Sequence, residues 1–305
     1  MIKKIIGLFI VSSLSLFGFD YNLKPKKVSE NVWCFFGALE MPTKENGGNM
    51  SNHCYIKGKS SYILLDSGPT YKYAQQAYEA MSKIEKLPVS VVLNTHEHDD
   101  HWMGNSFYKE KFNSKLIGVE LQDLNYKEGD NTRMHKLLTH EAIDGTKIVK
   151  LDKYIKNEEI VTFDGEDFRF VPVGQGHSKF DVFMYMPKRK VLFAGDLVMN
   201  GRITSNRDGL VIGQLKALET ISKYDFNVLV PGHGFDTTKN AIDESIHYFD
   251  LLKERVLSAV EEDVGLEGVT KFVKMVEFKD KAMFDILNSG NVLKAYSELE
   301  FYEEE

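Results

Sequence analysis

Hydrophobic and polar positions follow one plan in two separate stretches of this chain. His53 to Asp66 (HCYIKGKSSYILLD) reads as a strand, a glycine-containing turn and a second strand. Tyr71 to Ile84 then carries helical spacing, and Val89 to Thr95 (VSVVLNT) is the β-branched run of a buried strand. Downstream, Phe183 to Asp196 (FMYMPKRKVLFAGD) repeats the hairpin, Ile212 to Ser222 the helix, and Asn227 to Pro231 (NVLVP) the strand. Both hairpins end in aspartate, and both last strands run into a histidine. The pattern predicts a duplicated half-domain of the α/β class: sheets covered by helices in an αβ/βα sandwich, with the histidines gathered at strand ends.

Between the halves, Glu120 to Ile160 is a charged, helix-prone insertion, and Thr238 to Ala259 has the spacing of a long amphipathic helix that closes the sandwich. Pro42 to Asn49 (PTKENGGN) is the most turn-rich segment and is expected to be a mobile loop. At the N-terminus, Lys3 and Lys4 precede an apolar run of 13 residues, Ile5 to Phe17, which reads as a cleaved secretory signal. A membrane anchor is the alternative, although the run is shorter than the ~20 residues a spanning helix needs. The organisation expected is a signal peptide over 1–18, one main domain over 19–263, and a C-terminal helical extension over 264–305. The mature protein is placed in the periplasm or outside the cell, without stable membrane insertion.

Composition narrows the function. Hydrophobic residues make up 43% and charged residues 27%, with both signs mixed along the chain, as in a globular protein with a full core. The formal charge of -7 opposes binding to a phosphate backbone, so no nucleic-acid partner is expected.

The chemistry gathers in Thr95 to Asn105 (THEHDDHWMGN), where His96, His98, Asp100 and His101 follow a predicted buried strand. Such polar density has no use in a core. His96 and His98, two apart in an extended segment, project to one side and can grip one metal. Asp100 and His101 come at a turn and suit a second. About four ligands per zinc ion require more donors, which the second half supplies. His177 lies in a Gly-Gln-Gly-His-Ser loop after the predicted strand Phe168 to Val173. Asp196 ends the predicted strand Val191 to Ala194, and His233 sits in Pro-Gly-His-Gly after the last strand. Asp196 can bridge two ions through its two oxygens, with His96, His98 and His177 on one and Asp100, His101 and His233 on the other. The histidine-rich set favours two zinc ions over an iron pair. Two close ions can share a water of lowered pKa, and the hydroxide serves as nucleophile, with Asp100 counted as both ligand and catalytic residue.

These residues, in this order, resemble the metallo-β-lactamase superfamily, of which the His-x-His-x-Asp-His pattern is a specific signature. The resemblance implies the four-layer αβ/βα fold of that family. Its true β-lactamases carry cysteine or serine where this chain has Asp196, so the likeness is closer to the dinuclear branch that includes glyoxalase II. Gly195 to Thr204 (GDLVMNGRIT), with the leader and the PGHG loop, is similar to exported zinc metallohydrolases that accompany periplasmic quinoprotein and sulfur-oxidation systems. That similarity implies a periplasmic redox context. The function expected is hydrolysis of a small-molecule ester, lactone, thioester or amide. The alternatives are a mononuclear iron sulfur-compound dioxygenase of the same fold, or a β-lactamase.

The remaining polar residues carry weaker signals. Asp66, in LLDSG, either orients the metal loop through hydrogen bonds or simply ends a strand. Arg202 and Asn206, after the bridging aspartate, could meet an anionic substrate. Trp102 and Met103 are read as opening the helix after the metal loop. His53, His135, His140 and His247 lack a partner pattern, with His53 nearest to the pocket. Cys34 and Cys54 fall in neighbouring predicted strands and either form a cross-strand disulfide or remain two buried thiols.

Overall fold

A computed structural model describes residues 19–303, and the expected leader lies outside the described residues. Two sheets stack face to face. The first holds seven strands in sequence order: β1 (Lys26–Ser29), β2 (Val32–Phe35), β3 (His53–Lys57), β4 (Tyr62–Leu65), β5 (Val89–Leu93), β6 (Lys115–Gly118) and β7 (Lys153–Tyr154). The second has the order β12-β11-β10-β9-β8, from β8 (Glu159–Phe163), β9 (Glu166–Gly174), β10 (Asp181–Met186), β11 (Val191–Met199) and β12 (Val228–His233).

Period-two alternation decides which side chain enters which layer. In the first sheet Cys54, Ile56, Ile63 and Leu65 meet Phe168, Phe170, Met184 and Phe193 of the second sheet in the central core. Their neighbours Tyr55, Tyr62 and Leu64 point the other way, onto α1 (Tyr71–Ser82), and join Tyr73, Ala77 and Met81 in a separate outer core. The Thr70 side chain accepts the Tyr73 N–H and so starts α1 at the expected position. Strands buried on both faces explain why the sequence shows near-continuous apolar runs there.

The repeated plan is real in three dimensions. In each half an antiparallel hairpin is followed by a helix and then a parallel strand, β3-β4-α1-β5 and its counterpart β10-β11-helix-β12. After β5 come the short helices α2 (Asp99–Trp102) and α3 (Asn105–Phe112). The insertion folds less helically than its composition suggests. It breaks into α4 (Glu120–Asn125), α5 (Arg133–Leu137) and α6 (His140–Ile143) before β7, because Thr132 and Thr139 cap new helices and Gly129 and Gly145 sit at positive φ.

On the outer face of the second sheet lie α7 (Val211–Ser222) and α8 (Asn240–Glu261), then α9 (Leu266–Phe272) and α10 (Phe284–Leu299). Val292, Ala295 and Leu299 of α10 share one core with Leu252 and Val256 of α8 and with Phe183 and Leu192 of the sheet. The C-terminal extension is therefore packed into the sandwich. Among the described residues no helix is long and apolar enough to cross a membrane.

Two expectations change in detail. The Pro42–Asn49 loop is tied down, with Asn46 Oδ1 accepting from Thr43 N and Gly48 N and the Tyr21 hydroxyl donating to Gly47 O. Cys34 and Cys54 stand directly opposite in the β2–β3 register and are joined as a buried disulfide, which settles the open choice. The bond closes a loop of sequence separation 20, so replacing both cysteines by alanine should cost about 3 kcal/mol of stability. Denaturant unfolding of the double variant measures this, and an unchanged midpoint would refute it.

Candidate metal centre

The loop after β5 brings His96 and His98 to one end of the sandwich, His96 in a bend and His98 in extended backbone. His98 is the N-cap of α2, and Asp100 and His101 lie in that helix's single turn. His177 sits between β9 and β10. Asp196 lies inside β11 rather than at its end, because pairing with β12 carries the strand on to Met199 through register shifts around Gly195. Gly195 has φ +53, and a Cβ there would stand 2.9 Å from Thr95 Cβ, so the kink that aims Asp196 at the centre requires glycine. His233 closes β12 as its last residue.

All seven predicted donors converge. His96, His98, His177 and Asp196 form one group, and Asp100, His101 and His233 another, each with its donor atoms within 4.8 Å of one another. Asp196 stands between the groups. Its Oδ1 is 3.1 Å from His101 Nε2, and its Oδ2 is 3.2 Å from both His177 Nε2 and His233 Nε2. His177 Nε2 and His98 Nδ1 face each other at 3.0 Å.

The outward nitrogens explain the inward ones. His101 Nδ1 donates to Asp66 Oδ2 at 2.8 Å, His233 Nδ1 to Met50 O at 2.6 Å, and His98 Nε2 to Asp208 Oδ2 at 3.1 Å. Thr95 Oγ1 donates to Asp66 Oδ2 and so accepts from His96 Nδ1, both at 3.0 Å. With one ring nitrogen committed as donor, the other presents a lone pair to the centre. His96 Nε2, His101 Nε2, Asp100 Oδ2 and Asp196 Oδ1 are buried there with no hydrogen-bond partner. Buried polar atoms are ordinarily satisfied, so this cluster of orphans is what a metal-binding donor set looks like from the protein side.

Electrostatics divide the donors. Burial lowers the His101 and His177 imidazoles, but the Asp196 carboxylate beside them outweighs it and holds both above their usual value, whereas the carboxylates and His96 stand ready as ligands. Burial pushes the Asp100 and Asp196 carboxyls up, but the surrounding groups outweigh it: His101, Arg133 and His233 around Asp100, and His233, His101 and His177 around Asp196. Both carboxyls end well below the ordinary range. Burial, aided by His101, holds the His96 imidazole well below its usual value and thus neutral, as a ligand must be.

Asp66 takes both of its predicted parts, since it ends β4 in a left-handed turn (φ 52) and orients His101 and Thr95. Trp102 ends α2 and Met103 follows it; both are fully buried, and the indole donates to Glu97 O. His53 is buried beside His101, at 6.2 Å between ring centres, and meets Ser51 Oγ rather than the centre. His135 joins the cap of α5, His140 begins α6, and His247 lies against Phe278. Arg202 lines the cleft above the donors, whereas Asn206 is buried behind that wall. Two contributors went unseen in the sequence. Arg133 reaches Asp100 Oδ1 at 2.6 Å and Asp99 Oδ1 at 2.8 Å, and Asp208 holds His98. Each is one charged residue in a charged segment, with no spacing to mark it.

The metallo-β-lactamase superfamily model matches residues 46–233. Metallo-β-lactamase IND-1 of Chryseobacterium indologenes is 26% identical over 250 residues, which cover 76% of this chain and 92% of that protein. A hydroxyacylglutathione hydrolase of Brucella anthropi is 27% identical over 126 residues, 39% of this chain and 37% of its own. In fold, the stereoselective sec-alkylsulfatase Pisa1 from Pseudomonas sp. aligns with TM-score 0.68 at 16% identity, over 92% of this chain and 51% of that one. The match to 46–233 spans more than half of the chain and contains every one of the seven converging donors, so this protein belongs to the metallo-β-lactamase superfamily.

Proposed function

We propose that this chain is an exported two-zinc hydrolase acting on a small ester, lactone, thioester or amide. The observation that carries the reading is the set of buried, inward-facing and unpartnered nitrogens and carboxylate oxygens, with Asp196 reaching both groups. Imidazole and carboxylate donors in this number suit two zinc ions: His96, His98 and His177 on one, Asp100, His101 and His233 on the other. Ions bound there supply Lewis acidity and an activated water near neutral pH.

The protein's own part is preorganisation. Asp66, Thr95, Asp208 and the Met50 carbonyl fix which nitrogen of His101, His96, His98 and His233 faces inward. Arg133 engages Oδ1 of Asp100 and leaves Oδ2 toward His101 and His233, at 3.5 and 3.4 Å. The cavity above the donors, about 60 Å³, has room for a reacting group.

Lactam hydrolysis is a second reading, favoured by the relatives of that name along three quarters of the chain. Asp196 in place of cysteine or serine argues for the glyoxalase II-like branch. Export is supported by the leader pattern and by the Cys34–Cys54 disulfide, which persists in oxidising compartments. The likeness of Gly195–Thr204 extends the proposal to a setting beside a periplasmic redox system. Protein recovered from the cell envelope and purified without added metal should begin near Phe19 and hold about two zinc ions per chain. It should also turn over a thioester faster than a β-lactam. One iron per chain refutes the two-zinc reading, an intact Met1 refutes export, and faster lactam turnover favours the lactamase.

A further inference from the structure

We infer that a pocket between α4 and the β9–β10 loop is a second ligand site, apart from the metal centre, for a free monocarboxylate with an unbranched apolar tail. The pocket has a volume of about 310 Å³, at the lower end of the roughly 300–1,000 Å³ common for small-molecule sites. Its apolar walls are Leu121 and Leu124 of α4, Ile155, and Phe180 of the β9–β10 loop. It shares no residue with the cleft over the seven donors, so it stands or falls independently of the hydrolase reading.

The pocket exists because of where the two sheets part. Ile155 lies where the chain crosses from β7, the two-residue edge of the first sheet, to β8, the edge of the second. It belongs to the central core, and Leu121 and Phe180 pack against that core from outside. Leu124 lies at 64% exposure, a large apolar side chain beside this opening of the sandwich. The floor is held in place: Ile155 N donates to Gly118 O at 2.8 Å, and Lys179 N to Glu97 Oε1 at 3.4 Å. A preformed apolar hollow gains affinity for a tail because little order is lost on binding.

Charge decides the head group. The only charged residues lining the pocket are Glu120, Lys156 and Lys179, all exposed. Glu120 Oε2 lies 3.5 Å from Lys156 Nζ, so those two charges offset each other. The Lys179 ammonium has no ion-pair partner among the described residues, and the rim is left with one net positive charge on a chain whose formal charge is -7. One uncompensated cation beside four apolar walls complements one carboxylate on an apolar tail. A polar tail would lose its hydrogen bonds to water against these walls, and an ammonium head would meet Lys179.

The test titrates the zinc-loaded protein with octanoate by calorimetry. Wild type should bind octanoate saturably at this site, one per chain, with a Kd of about 1 mM or tighter. Hexanoate, two methylenes shorter, should bind about tenfold more weakly, and octylammonium about fivefold more weakly. Leu124→Asp should weaken octanoate by more than about tenfold, and Lys179→Gln should remove the preference for octanoate over octylammonium while keeping the dependence on tail length. Both side chains are exposed, so a thermal melt and the metal content should hardly change. Octanoate binding that neither variant alters belongs to the zinc ions and overturns the site, as does an absence of binding in wild type. Octylammonium bound as tightly as octanoate by wild type overturns the carboxylate. Sedimentation with phosphatidylglycerol vesicles that Leu124→Asp abolishes, without saturable octanoate binding, makes the patch a membrane contact and overturns the pocket as well.

Discussion

Replacing Asp196 by alanine is expected to lower hydrolytic turnover by at least about a thousandfold while the protein still folds. The carboxylate is the one group within reach of both donor sets, at 3.1 to 3.2 Å from His101, His177 and His233. Without it each of two ions would keep only three histidine or aspartate ligands, and nothing would fix the spacing between them. Several kcal/mol of transition-state stabilisation ride on a correctly placed pair, and each 1.36 kcal/mol is a factor of ten. The fold should survive, because β11 is bonded on both sides through residues other than Asp196. Metal analysis, a steady-state assay and a thermal melt together check the claim: the bound zinc should fall toward one, the rate should collapse, and the melt should hardly move. Asp196→Ser, which imitates a lactamase ligand, separates the branches. If it keeps two tightly bound ions and full thioester turnover, Asp196 is not a bridge.

Gly232→Ala should damage both stability and the centre, although the added group is a single methyl. A Cβ at this position would lie 2.0 Å from Asp196 Oδ1, 2.6 Å from Gly195 C and 2.8 Å from Asp196 N. Two of these atoms are backbone in the neighbouring strand, paired to β12 at Gly195↔Pro231, so neither yields without breaking the sheet. The φ of Gly232 is not in the left-handed region, and the whole effect is therefore steric. Overpacking of this kind costs about 1–3 kcal/mol or more, and displacing Asp196 should weaken metal binding about 10–100-fold. Gly290→Ala, in an exposed stretch of α10 with nothing within 4 Å, is the control and should stabilise by up to about 1 kcal/mol. Denaturant midpoints and zinc competition titrations distinguish the two. Equal midpoints for both variants would falsify the steric account.

How far the sequence revealed this molecule depended on whether the signal was local. The density of His96, His98, Asp100 and His101 is a local signal, and so is the apolar alternation of the two hairpins; both were readable directly. Asp208 lies 110 positions from His98 and Arg133 lies 33 from Asp100, so only folding shows that they meet. The end of β11 was misplaced for a similar reason. Gly195 looks like a break until β12 pairs across it and continues the strand. In the insertion, composition favours helix, but the caps at Thr132 and Thr139 and the positive φ at Gly129 and Gly145 cut it into short turns. The disulfide could be posed but not decided, because two cysteines in adjacent strands are bonded only if the register sets them opposite.

The bracing of the loop after β11 by α10 has a consequence for the order in which the molecule comes into being. A chain made from its N-terminus supplies both sheets and all seven donors once His233 has been synthesised. Asn291 and Glu298, which grip Asn206 and Val211 across separations of 85 and 87 positions, are made only after it. The donors can thus come together while the loop from Asn206 to Val211 is still unbraced, so the donor cluster is complete before the wall beside it. The wall of the site is the last part the growing chain completes, and it depends on residues outside the donor cluster.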